Sequence, residues 1–149
     1  MIFVDTGPLI ARYLPRDQYH QLAVDSWRDL ERNRWPMLTT NLVLSETLTL
    51  LGRRASYAFA AAKGRTLLAS SRLQILHADA EDEQAALVWF EKLADQQVSF
   101  TDCLSFALMR RHRLKKAFSF DRHFSAAGFE LWAGAISWVA ETPAPYGAE

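Results

Sequence analysis

The chain has 149 residues, half of them hydrophobic, and its seventeen basic residues balance seventeen acidic ones. That is enough for one domain with a core and short for two; the balanced charge excludes a chain that gathers polyanions through a global field, so any nucleic-acid contact is local. The single cysteine, Cys103, excludes an intramolecular disulfide and fits a reducing compartment, and no apolar run approaches a membrane span or a secretory leader, so a cytoplasmic protein without membrane contact is expected.

Residues 1–4 form an apolar run stopped by Asp5-Thr6-Gly7-Pro8, which predicts a buried strand, a polar turn and a helix start. Leu9, Ile10, Tyr13 and Leu14 follow at helical spacing until Pro15, and a second helix is predicted from about Asp17 towards Asn33. Residues 37–40 predict a brief strand, with Thr40 or Asn41 capping a helix over 42–51 that Gly52 ends. The alanine-rich stretch 55–70 predicts a helix and 73–76 a strand, after which Asp79 caps a helix to about Ala94. A short segment Val98-Ser99-Phe100 precedes an apolar helix from Thr101 to about His112. Residues 117–120 predict a further strand, and 129–139 a last one with a small extension.

Short strands alternating with longer helices predict an α/β domain with a mainly parallel sheet covered on both faces. One domain is expected over 1–141, and the Pro-, Ala- and Gly-rich stretch 142–149 is expected to be a flexible tail.

Four carboxylates stand apart from the rest. Asp5 and Asp121 each follow an apolar strand, and ligand sites of open parallel sheets lie beyond the carboxyl ends of the strands. Helical periodicity places Glu46 on the arc of Leu42, Val43 and Leu50, facing the core, where an ionised group needs compensation. Asp102 projects from the first turn of a nearly all-apolar helix. Each has a plain structural alternative: a turn opener for the aspartates after strands, an edge position paired with Arg53 or Arg54 for Glu46, a capping group for Asp102. The denser cluster Asp79, Glu81, Asp82 and Glu83 reads as a solvated helix start, so charge density is not the criterion. Carboxylates held together repel, and a hard cation taking oxygen ligands, Mg²⁺ or Mn²⁺, relieves that; cysteine and paired histidine at zinc spacing are absent.

The ordered set of Asp5-Thr6 after the first strand, Glu46 in the helix near Thr40-Asn41, Thr101-Asp102 opening a late helix, and Phe120-Asp121-Arg122-His123-Phe124 resembles the PIN-domain ribonucleases, and more narrowly the VapC-type toxins of bacterial toxin–antitoxin pairs. The likeness runs from Met1 to about Leu131; the segment after Trp132 is longer than the family's compact ending. It implies a three-layer fold with a central sheet of about five short strands. It also implies an acidic quartet of Asp5, Glu46, Asp102 and Asp121 holding Mg²⁺ or Mn²⁺, with Thr6 and Thr101 orienting carboxylates. The implied activity is hydrolysis of RNA, in which metal charge activates water and stabilises the transition state, leaving a 5′-phosphate and a 3′-hydroxyl. A small cognate antitoxin and a homodimer are the implied partners.

Arg122 and His123 are candidates for phosphate contact. The basic run Arg110, Arg111, Arg113, Lys115 and Lys116 sits towards the far end of the helix from Asp102 and is accounted for by a helix C-terminus that attracts cations. Cys103 reads as a small core residue, and the aromatic residues as packing. Asp5-Thr6-Gly7 also matches the tripeptide of aspartic proteases, against which the helical text around it argues. The non-enzyme alternative is a catalytically silent PIN-like module that binds RNA or protein.

Overall fold

A computed structural model describes residues 1–132; the expected tail over 142–149 and most of the predicted last strand and extension lie outside them. Five strands, β1 (Ile2–Val4), β2 (Met37–Thr40), β3 (Leu73–Leu76), β4 (Lys116–Phe118) and β5 (Glu130–Leu131), form one sheet in the order β3-β2-β1-β4-β5, every pair parallel. Seven helices connect them among the described residues: α1 (Thr6–Tyr13), α2 (His20–Arg32), α3 (Asn41–Arg54), α4 (Tyr57–Leu68), α5 (Ala80–Lys92), α6 (Phe100–Arg111) and α7 (His123–Ala126). None is long and apolar enough to cross a membrane.

The strand order decides the layering. From β1 the chain steps to β2 and then β3 in one direction, and from β3 it returns across the sheet to β4. Right-handed crossovers therefore put α1 to α4 on one face and α5 to α7 on the other, which agrees with the packing of α1 on α2 and α3, α3 on α4, and α5 and α7 on α6. Ile2, Phe3 and Val4 are fully buried, as a central parallel strand covered on both faces requires. Between β1 and β4 the direction of winding reverses, and in such sheets this switch point is where ligands bind.

Three boundaries differ from the sequence expectation. Gly52 does not end α3, which continues to Arg54; the glycine is buried, and a Cβ there would come within 2.7 Å of the Tyr57 ring, so its smallness serves the turn into α4. The chain from Pro15 to Tyr19 forms turns, with Asp17 accepting the Tyr19 N–H, and α2 starts only at His20. Strand β4 ends at Phe118, so Asp121 is carried by a short loop and does not follow the strand directly.

Two members of the basic run are engaged in structure. Arg111 reaches back to Asp79 and Asp82 at 2.7 and 2.8 Å, tying the start of α5 to the end of α6, and Arg110 donates to the Ala127 carbonyl. Asp79 and Asp82 form a reciprocal capping box. Asp82 differs from the solvated face expected of its cluster: it is 3% exposed, with Arg111 compensating its charge.

Candidate active site

The aspartates lie at the C-terminal edge of the sheet, where Asp121 does open a turn through its bond to the His123 N–H. Asp5 occupies the N-cap of α1 but its side chain caps nothing. Its Oδ2 instead accepts from the Ser119 hydroxyl at 2.7 Å, while its backbone N–H donates to the Phe118 carbonyl, so β4 fixes both main chain and side chain. In α6 the capping is done by Ser99, whose hydroxyl accepts the Asp102 N–H at 3.1 Å. The same Ser99 hydroxyl also bonds the Asp102 carboxyl and opposes the rise in its pKa.

Packing aims Asp102 at the loop after β4. Phe106, one turn along α6 and fully buried, meets the Phe124 ring edge to face at 5.0 Å, and such aromatic pairs hold geometry as well as area. The same contact keeps Asp121, three residues before Phe124, beside the first turn of α6. Asp121 is held at both ends of its own residue: its N–H donates to Ser119 Oγ at 3.0 Å and its Oδ1 accepts the His123 N–H at 2.8 Å.

Glu46 is not where helical periodicity predicts. The buried face of α3 is Val43, Leu44, Thr47 and Leu51, and Glu46 lies at its rim as an exposed residue, because Leu44 turns the core arc away from Leu42 and Leu50. Its carboxylate still enters the site, since the Thr6 hydroxyl, next to Asp5, donates to Oε2 at 2.7 Å. That bond ties Glu46 to the start of α1. Among the described residues the Thr101 hydroxyl bonds no carboxylate, and its carbonyl accepts from Ser105.

Electrostatics bind the four acids into one unit. Burial, above all, pushes the Asp5 carboxyl up to about 7; the charges of Asp121 and Glu46 add to this, while the Ser119 hydroxyl and the Thr6 backbone oppose it. Asp102 is held well above the usual carboxylate range by burial first, then by the charges of Asp5, Asp121 and Glu46. Asp5, Asp102 and Asp121 are 6%, 9% and 9% exposed, so water is poorly placed to carry three negative charges here. Either protons or a cation must.

The donor set fits a hard divalent ion: four carboxylates from four chain segments, no thiolate among them, and one imidazole nearby. Ligand atoms of Asp102, Asp121 and His123 lie within 4.8 Å of one another. Cys103, adjacent to Asp102, is fully buried, and burial followed by the Asp102 charge pushes its thiol up to about 11, which makes it an inert core group. Arg122 is exposed at the start of α7.

Two contributors escaped the sequence argument. Ser119 bridges Asp5 and Asp121 through one hydroxyl; its only signal is a serine two residues before an aspartate after an apolar run. His123, expected as a phosphate contact, lies against the carboxylate cluster, with Nδ1 3.0 Å from Asp121 Oδ1.

Compared with known proteins, residues 2–130 match the PIN domain. The chain belongs to the PIN-domain family. This PIN domain is 38% identical over 130 residues to the 23S rRNA-specific endonuclease VapC20 of Mycobacterium tuberculosis, in each of two strains, covering 87% of this chain and 95% of the relative. The crystal structure of that protein, described as a toxin cleaving the sarcin–ricin loop, superposes with a TM-score of 0.77 at 35% identity, over 87% of this PIN domain and 96% of the other chain. A chain of a toxin–antitoxin complex from Klebsiella pneumoniae shares the fold, with a TM-score of 0.63 at 14% identity over 90% and 98% of the two chains.

Proposed function

We propose that this PIN domain is a toxin-type endoribonuclease dependent on Mg²⁺ or Mn²⁺, with Asp5, Glu46, Asp102 and Asp121 as metal-holding, catalytic residues and ribosomal RNA as its substrate. What supports the proposal is that Asp5, Asp121 and Glu46 all raise the pKa of the buried Asp102 carboxyl, in a chain similar over most of its length to a ribosomal RNA endonuclease. A divalent ion held there supplies positive charge to the phosphorane-like transition state and acidifies water. The chain's own part is placement. Ser119 and the Phe118 carbonyl set Asp5, Thr6 sets Glu46, and Ser119 and His123 set Asp121. No protein nucleophile is needed, and Cys103 is unsuited to be one.

The purified chain is expected to cut an RNA hairpin carrying the sarcin–ricin loop in the presence of Mn²⁺ or Mg²⁺, leaving a 5′-phosphate, and to stop when EDTA is added. Cleavage that persists in EDTA, or none of any ribosomal RNA with either metal, overturns the proposal. No observation favours the silent binding module. A small antitoxin and a homodimer belong to the same proposal, supported by the similarity to a toxin; light scattering of the purified chain tests the dimer.

Ser119→Ala is expected to lower cleavage about 10-fold, since a misplaced carboxylate costs catalytic geometry. The hydroxyl also lowers the Asp5 pKa, so its loss moves the onset of metal-dependent activity to higher pH. A pH profile at saturating Mn²⁺ reads both effects, and an unshifted profile with full activity removes Ser119 from the machinery.

A further inference from the structure

We infer that His123 is a nitrogen ligand on the Asp102–Asp121 side of the site and tilts the centre towards Mn²⁺ over Mg²⁺; this rests on the metal-dependent reading of the same carboxylates. The ring is brought there by two contacts to one residue. The His123 N–H donates to Asp121 Oδ1 at 2.8 Å, and Nδ1 lies 3.0 Å from that oxygen and 3.2 Å from Oδ2. His123 opens α7 immediately before Phe124, which is fully buried against Phe106 and Phe3, so the backbone carrying the imidazole is anchored in the core. The side chain keeps 23% exposure, enough for an ion or a substrate to reach it. Its ligand atom falls within 4.8 Å of those of Asp102 and Asp121, a grouping of two oxygens and one nitrogen from three positions.

Chemistry makes this grouping selective. Mg²⁺ demands oxygen ligands and keeps its waters, whereas imidazole contributes to first-row transition ions. Among the described residues, Asp5 and Glu46 contribute oxygen, and the nitrogen comes from His123 at the start of α7. A histidine that merely steadied Asp121 would support both ions alike. The two roles therefore separate in the ratio of affinities.

The full-length chain is titrated with Mn²⁺, followed by the electron paramagnetic resonance signal of the free ion, and Mg²⁺ is measured by competition. His123→Ala is expected to weaken Mn²⁺ about 10-fold or more and Mg²⁺ less than about 3-fold. His123→Gln, which retains a polar side chain beside Asp121 without an imidazole, is expected to show the same selective loss. In proton NMR of the wild-type chain, the resonance that His123→Gln removes should be broadened by substoichiometric Mn²⁺. Equal weakening of both ions, no weakening, or full restoration by Gln overturns the inference and leaves His123 as a positioning residue for Asp121. The readout is binding, so failure of the two ideas can be told apart. A chain that binds Mn²⁺ through His123 yet cuts no RNA defeats the nuclease proposal alone; an active nuclease with unaltered metal selectivity in both variants defeats this one alone.

Discussion

Asp102→Asn is expected to abolish RNA cleavage, by about 10³-fold or more, while leaving the metal-free protein as stable as the parent or more so. The two halves of that result have one cause. Asp102 is 9% exposed and faces the negative charges of Asp5, Asp121 and Glu46, so its ionised form is a liability to the fold in the absence of a cation. An amide of nearly the same shape removes the charge without opening a cavity. What disappears is one of the anionic oxygens on which a hard ion depends. Cleavage assays, with thermal unfolding in EDTA as the companion measurement, decide the matter. Cleavage at the parental rate would remove Asp102 from the site; inactivity accompanied by unfolding would assign it a structural part instead.

A second large effect is a stability profile of unusual slope. Asp5 has its pKa raised from 3.8 to about 7 on folding, and Asp102 moves in the same direction. Between those two values the folded chain holds a proton that the unfolded chain has released. Stability from these groups is therefore greatest towards the acid end of the window and falls as pH rises through the folded pKa. Metal-free protein should lose roughly 5–10 °C in Tm between about pH 5 and pH 8, the reverse of ordinary acid denaturation. Saturating Mg²⁺ or Mn²⁺ replaces the protons, so the gain in Tm on adding metal should be larger at the alkaline end, and proton release should accompany binding. Calorimetric scans in EDTA and in excess metal at both pH values provide the check. A flat or rising metal-free profile would mean that these carboxylates do not carry the electrostatic strain assigned to them.

Much of the scaffold could be read directly, since buried parallel strands announce themselves as short apolar runs and the helices between them carry caps: Thr40, Ser56, Asp79 and Ser99 each accept an N–H from the first turn that follows. The PIN-domain assignment followed from the order of acids along that scaffold. Periodicity was a weaker guide for Glu46, because an arc drawn through Leu42 and Leu50 gives no weight to Leu44, which tertiary packing pulls into the core. Ser119 was illegible for a different reason. Its importance is a hydroxyl that meets Asp5 across a sequence separation of 114 residues, and no local pattern encodes such a meeting. His123 shows the same limit: adjacency to Asp121 was visible, but whether the ring turns to solvent or back onto the carboxylate depends on how α7 starts.

The central position of β1 has a bearing on when activity can exist at all. Asp5 follows the first strand in sequence, yet the strand that completes its surroundings, β4, is the fourth and pairs directly with β1. Long-range parallel pairing of this kind is slow to form, because the loop it closes spans most of the chain. A chain cut short before Ser119 would hold at most three of the four acids and lack the serine that sets the first of them. For a nuclease of the kind proposed, the site is therefore complete only once β4 has paired with β1.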